Sequence, residues 1–268
     1  MSSTFVLPLR TPTLPPATTT NTLVVVGERV AVIEPATPHA DEQRVLLDKL
    51  DELAAEGRTV AAILVTHHHA DHTGFAAALR DRCGAPVMAH AETAARVPFA
   101  IDRELADGDT VDLGGGVELR AVFTPGHAPG HLVFLEPRSG IAHAGDMVAG
   151  EGTILIDPDD HGDMAVYLDS LRRLGEIGAT QLVPAHGPVL PDPRAVVEHY
   201  VRHRLAREAK VVAAIAAQGS AFDDLLARAY DDTPRFLWPL AAKSLEAHLR
   251  KLVNDGVVER SAGRIART

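Results

Sequence analysis

Cysteine is almost absent from this chain: one residue, Cys83, in 268. A lone cysteine excludes an internal disulfide framework and any Cys-rich zinc module. Its place at the end of a helical pattern, just before Gly84, gives it a structural reading. Aromatic residues are scarce, at 4% of the chain, which leaves no platform of aromatics interleaved with basic residues on which single-stranded bases stack. No apolar run reaches the roughly 20 residues of a membrane span. Met1–Thr22 also lacks a basic run followed by the apolar core of a signal peptide, so the expectation is a cytoplasmic protein without a membrane partner. Basic residues are outnumbered, 26 Lys+Arg against 36 Asp+Glu for a net charge of −10, which makes the whole chain a poor general partner for nucleic acid. The deficit is uneven. Residues 1–199 carry 14 basic against 28 acidic residues, net −14, and residues 200–268 carry 12 against 8, net +4. The asymmetry divides the chain into an acidic body, 1–200, and a basic tail, 201–268.

What is present is enough apolar material, 46% of residues, to bury one large core and a small one. After a Pro- and Thr-rich lead-in, Thr22–Val26 and Arg29–Ile33 flank Gly27-Glu28 like a hairpin. Asp41–Glu56 has helical spacing with Val45, Leu46, Leu50 and Leu53 on one stripe. The strand Val60–Val65 runs into a His-rich loop and a helix from Asp71 to Arg82, and β-rich runs follow at Val87–Ala89, Val117–Phe123, Leu132–Leu135 and Ile141–Ala144. Tyr167–Gly175 is a short amphipathic helix. Strands alternating with helices predict an α/β layered domain. Beyond Pro193 lie three helical patterns, Arg194–Gln218, Phe222–Tyr230 and Leu237–Asn254, then two β-rich pieces around Ala262-Gly263. That order predicts a winged-helix-like tail.

The chemistry is concentrated in Thr66-His67-His68-His69-Ala70-Asp71-His72. If the chain stays extended after the strand, His67 and His69 share a face, since side chains two apart point the same way. Turning into a helix returns Asp71 and His72 toward them. Imidazole nitrogen and carboxylate oxygen are ligands that zinc accepts and that also suit iron or manganese. Three later turns carry the same residue types at strand ends: Thr124-Pro125-Gly126-His127, Ala144-Gly145-Asp146 and Pro184-Ala185-His186-Gly187. Each alone is weak, because a Pro-Gly turn with a histidine is usually only a turn.

Taken in order, His67-x-His69-x-Asp71-His72, His127, Asp146 and His186 resemble the metallo-β-lactamase superfamily in its glyoxalase II-like, dinuclear form. The resemblance covers roughly residues 20–190. It implies an αββα sandwich of two β-sheets covered by helices, with His67, His69 and His127 on a first divalent metal ion, Asp71, His72 and His186 on a second, and Asp146 bridging both. Zinc is the expected metal, with iron or manganese as alternatives. His203-Arg204-x-x-Arg207-Glu208 extends the likeness into the tail, where it is similar to a branch containing a lactamase-like endoribonuclease and polyketide thioesterases. One departure is Glu34-Pro35-Ala36, where many relatives have an Asp-Thr-Gly or Asp-Pro-Gly turn that supports the metal loop.

The implied reaction is direct hydrolysis by a water shared between two ions, with no Ser or Cys nucleophile, and Asp71 is the candidate to relay a proton to the leaving group. A small acyl ester or thioester substrate fits the glyoxalase-like ligand set. A single-strand endoribonuclease, a β-lactamase or lactonase, and a non-enzymatic DNA-binding regulator are the alternatives, the regulator drawing on the winged-helix pattern and the ribonuclease on the net charge of +4 in the tail. Assembly as a homodimer is left open. His68 alternates away from the presumed ligands, and His131 is either a support for the His127 turn or a strand-start residue. Tyr167 either lines the pocket or packs. Arg204 and Arg207 either meet an anionic substrate or form ion pairs with the acidic body.

Overall fold

A computed structural model describes residues 3–268. Two six-stranded sheets follow one another along the chain. The first is built from β1 (Ser3–Arg10), β2 (Thr19–Val26), β3 (Val30–Ile33), β4 (Val60–Leu64), β5 (Val87–Ala89) and β6 (Arg103–Glu104), side by side in that order. The second holds β7 (Thr110–Gly114), β8 (Val117–Phe123), β9 (Leu132–Glu136), β10 (Ile141–Gly145), β11 (Gln181–Pro184) and β12 (Leu190–Pro191), again as neighbours in chain order.

Helices α1 (Ala40–Ala55), α2 (Ala70–Thr73), α3 (Ala76–Cys83) and α4 (Ala91–Ala94) connect strands of the first sheet or lead out of it, and α5 (Met164–Leu174) follows β10. The helix α6 (Pro193–Ala214) then leads into α7 (Phe222–Ala229), α8 (Trp238–Asn254) and a terminal hairpin of β13 (Val258–Ser261) and β14 (Arg264–Arg267).

The alternation of strand side chains explains why apolar runs such as Leu23–Val26 are uninterrupted: both faces are buried. Leu23, Val25, Ile33 and Leu64 face inward and meet Leu119, Leu132 and Phe134 of the other sheet. Val24, Val26, Val32 and Ile63 face outward under Leu46, Leu50 and Leu53 of α1 and Leu79 of α3. On the opposite flank Val122, Val133 and Leu135 pack beneath Leu168, Leu171 and Leu174 of α5 and Val197 of α6. The result is helix, sheet, sheet, helix, the expected αββα sandwich. A fourth core joins Val211 of α6 to Leu225, Leu245, Leu249 and Ile265 of the winged-helix tail. The helix α6 thus runs through residue 200 and serves the cores of both body and tail.

Three expectations need correction. The lead-in is not simply extended: Ser3–Arg10 pairs antiparallel with Thr19–Val26 along its whole length, and Pro8 is tolerated because β1 is an edge strand. The helix expected over Asp71–Arg82 is two, α2 and α3, broken at Gly74-Phe75. There the chain passes so close to its neighbour that a Cβ on Gly74 would lie 2.5 Å from the Ala36 carbonyl oxygen. Val45, assigned to the α1 stripe, is 48% exposed. Cys83 is also exposed, at the end of α3.

Candidate metal centre

Strand direction decides where the polar turns meet. β3 and β4 are parallel, and so are β10 and β11. β8 runs antiparallel to β9, which runs antiparallel to β10, so β8, β10 and β11 share one direction. The segments that leave their C-terminal ends carry His127, Asp146 and His186 to a common edge, opposite the His67–His72 loop that leaves β4. Glycine makes two of these turns possible. Gly126 has φ +121, and a Cβ there would lie 2.3 Å from the Tyr167 backbone nitrogen. Gly145 has φ +50, and its Cβ would lie 2.5 Å from His131 Nε2.

All seven residues meet around a cavity of about 230 Å³ or directly behind it. In one cluster, His69 Nδ1 lies 2.8 Å from His67 Nε2 and 3.1 Å from His127 Nε2, and the latter two are 3.2 Å apart. Asp146 Oδ2 is 3.4 Å from His127 Nε2. In the other, His72 Nε2 lies 3.7 Å from Asp71 Oδ1 and His186 Nε2 lies 3.7 Å from Asp71 Oδ2. Asp146 reaches this cluster too, with Oδ1 3.4 Å from His186 Nε2 and Oδ2 3.7 Å from His72 Nε2.

Hydrogen bonds on the far side of each ring fix which nitrogen faces inward. His127 Nδ1 donates to the Leu155 carbonyl at 2.9 Å, and His186 Nδ1 to the Thr19 carbonyl at 2.9 Å. His69 Nε2 donates to Asp160 at 2.7 Å and His72 Nδ1 to Glu34 at 2.7 Å. Thr66 Oγ1 donates to Glu34 Oε1 and therefore accepts from His67 Nδ1 at 2.9 Å. Each neutral imidazole has one N–H, and all five are spent outward. With all five rings neutral, five lone pairs converge with two carboxylates, an arrangement that repels itself unless a cation, a proton or a metal ion, lies between. For metal–nitrogen bonds of about 2.0–2.1 Å, the edges of a tetrahedron are about 3.3 Å, close to the spacings within the first cluster. His72 Nε2 and Asp146 Oδ1 are buried and without a hydrogen-bond partner among the described residues. The donor set is one that divalent metal ions accept.

Charge tells the same story. Burial disfavours the His72 cation, yet the carboxylates of Glu34, Asp146 and Asp71 outweigh it and hold its pKa well above the ordinary value. Burial and the neighbouring rings of His72 and His69 push His67 well below, and burial lowers His127 to about 4. Such a field favours positive charge at His72 while keeping His67 and His127 neutral, as ligands must be.

The remaining candidates take different places. His131 is fully buried, accepts from the Asp146 backbone N–H at 3.1 Å and donates to Thr124 Oγ1 at 2.9 Å; it supports the Asp146 turn, and burial with nearby His127 lowers its pKa to about 3. His68 turns away, 3.3 Å from Asp160. Tyr167 does not line the cavity: it is fully buried, and its hydroxyl donates to the Met147 carbonyl at 2.8 Å. Arg204 is 4% exposed, bonded to the Ile154 carbonyl, with its guanidinium 5.3 Å from the Tyr167 ring centroid. Arg207 pairs with Asp232 at 2.9 Å.

Two carboxylates had no place among the sequence candidates. Glu34 is fully buried and accepts from Thr66, from His72 and, at 2.8 Å, from His143 Nε2. It anchors one ring in each cluster, directly or through Thr66, and its own φ of +55 is uncommon for a residue other than glycine. The departure at Glu34-Pro35-Ala36 pointed to this spot. Asp160 has no comparable signal, as it lies 91 positions from the ring that it holds.

Residues 15–186 match the family described as Metallo-beta-lactamase superfamily, well over half of the chain. The chain belongs to the metallo-beta-lactamase superfamily. Residues 222–266 match the Beta-lactamase associated winged helix domain. Among relatives, the chain is 30% identical over 225 residues to Beta-lactamase-like protein 2 homolog of Drosophila melanogaster, covering 77% of this chain and 73% of the relative. It is 30% identical over 255 residues to Atrochrysone carboxyl ACP thioesterase of Passalora fulva, covering 89% and 72%. A metallo-beta-lactamase family protein from Thermus thermophilus, solved by crystallography, superposes with a TM-score of 0.80 at 25% identity, covering 99% of this chain and 98% of that one. This superfamily member is a metal-dependent hydrolase, and no described helix is long and apolar enough to cross a membrane.

Proposed function

We propose that the enzyme is a dinuclear hydrolase of thioesters or other small acyl esters. His67, His69 and His127 would hold one divalent ion, Asp71, His72 and His186 the other, and Asp146 would serve both. The observation that carries this reading is the position of Asp146, whose two oxygens lie within 3.4–3.7 Å of ring nitrogens from both clusters. Nitrogen and oxygen donors without sulfur favour zinc and also accommodate iron or manganese.

When bound, such a pair of ions lowers the pKa of a water and polarises the substrate oxygen. The protein's own part is positioning and proton transfer. Asp71 borders the cavity with its side chain 17% exposed, where it accepts a proton from the attacking water and passes it to the departing thiolate or alkoxide. Glu34, Asp160 and the carbonyls of Leu155 and Thr19 keep the rings from turning. The only cysteine is remote, at the end of α3, so water adds to the acyl carbon without a thioester to the protein.

The resemblance to a carrier-protein thioesterase supports an acyl substrate. Nucleic acid is disfavoured because the cations of α8 are already engaged: Lys243 with Asp157, Arg250 with Glu246 at 2.9 Å, and Lys251 with Glu208 at 2.9 Å. Zinc-loaded wild type and Asp146→Ala are compared on a thioester panel, a single-stranded RNA and a cephalosporin. The expected result is thioester turnover that falls by at least about 100-fold in the variant, the upper size found for outer partners of metal ligands alone. Turnover of RNA or cephalosporin with none of any thioester would refute the reading.

A further inference from the structure

A second cavity, of about 350 Å³, lies between the catalytic sandwich and the winged-helix tail. Gly152, Thr153 and Leu155 wall both it and the metal cavity, so the two are neighbours across a single segment. That segment is tied to each side: the Leu155 carbonyl accepts from His127, and the Ile154 carbonyl from Arg204.

The two cavities differ in charge. Asp71, Asp146, Glu151, Asp157 and Asp160 border the metal cavity. Among the described residues no carboxylate borders the second; its lining is mostly apolar, including Ile154, Leu237 and Leu240, with Arg204, Arg207 and His203 as its basic groups. Arg207 is neutralised by Asp232, but Arg204 is not. Arg204 is 4% exposed, its guanidinium is held by the Ile154 carbonyl and stands by the Tyr167 ring, and its buried Nε has no hydrogen-bond partner among the described residues. The Tyr230 hydroxyl stands buried in the same wall beside Ser244. A buried guanidinium without a counter-ion is unfavourable, and an anionic group on a ligand relieves it.

Resting on the hydrolase reading above, we infer that this cavity receives the acyl part of the substrate, an apolar chain of several carbons that ends in a carboxylate placed against Arg204. The thiol side of a carrier-bound substrate is a poorer occupant, because a pantetheine arm brings two amides into a mostly apolar space. The preferred substrates are therefore ω-carboxyacyl thioesters or esters in place of short acyl groups.

The test uses N-acetylcysteamine thioesters of straight-chain acids from two to ten carbons, with and without an ω-carboxylate. Binding of decanedioate and decanoate is measured by calorimetry on the same metal-loaded protein. Wild type is expected to gain up to about fourfold in kcat/KM per added methylene, to prefer the ω-carboxylate by tenfold or more, and to bind decanedioate more tightly than decanoate. Leu240→Trp, which fills the cavity, flattens the chain-length series; Arg204→Met abolishes the carboxylate preference and leaves the chain-length series in place. Should Arg204→Met fail to fold, the Leu240→Trp series and the two wild-type affinities still decide. Equal rates along the wild-type series, or a slope untouched by Leu240→Trp, overturn the inference while leaving the hydrolase reading intact. Decanedioate binding that Leu240→Trp removes, with no thioester turned over, upholds the cavity's ligand class and counts against the hydrolase reading instead.

Discussion

At the scale of single residues, the centre depends on groups that touch no substrate. Glu34 accepts from Thr66, His72 and His143 at once. Glu34→Gln places an amide N–H₂ against those donors and frees the rings of His67 and His72. Metal affinity, read by competition with a chelating dye, should fall about 10–100-fold while the thermal midpoint of the metal-free protein changes far less. An unchanged affinity would remove Glu34 from the account. The seven candidate ligands were legible because five are histidines in turns after apolar strands and their residue types are those that metals accept. Glu34 showed only as a departure from the relatives' turn, without its role, and Asp160 not at all, because an isolated acid gains its role only when folding brings it beside a ring 38 or 91 positions away.

At the scale of elements, strands β3, β4, β8, β10 and β11 act as rails that deliver turns to one edge, and the turns work only if they are narrow. Gly126 lets the first turn of α5 pass under the His127 turn, where the Asp163 N–H donates to the Gly126 carbonyl at 2.8 Å. Gly126→Ala introduces a Cβ within 2.3–2.7 Å of three Tyr167 atoms at a φ of +121. A destabilisation of about 2 kcal/mol or more is expected, read by chemical denaturation, with a parallel loss of metal from the His127 cluster. A value within about 0.5 kcal/mol of zero, the usual range of bland surface changes, would show that the loop relaxes freely. Periodicity exposed α1 and α5 because their stripes are local properties. It missed the pairing of β1, whose Pro- and Thr-rich surroundings read as linker and whose partner strand is chosen by tertiary contact, and it ran α2 and α3 together because Gly74 yields to the approach of Ala36 and not to any local preference.

At the scale of the molecule, the uneven charge along the chain has a structural counterpart. Acidic groups gather at the metal cavity, and the tail's cations face them: Lys243 meets Asp157, and Arg250 donates to the Pro158 carbonyl at 3.1 Å. The winged-helix tail therefore closes over the body, and the shared helix α6 fixes their relation. The central claim is that Asp146 joins two cations. It is tested most directly by anomalous diffraction at the zinc edge from crystals of the zinc-loaded protein. Two peaks about 3.5–4 Å apart are predicted, one among His67, His69 and His127 and one among Asp71, His72 and His186, with Asp146 touching both. A single peak, or one seated at Glu34 or Asp160, would contradict the account.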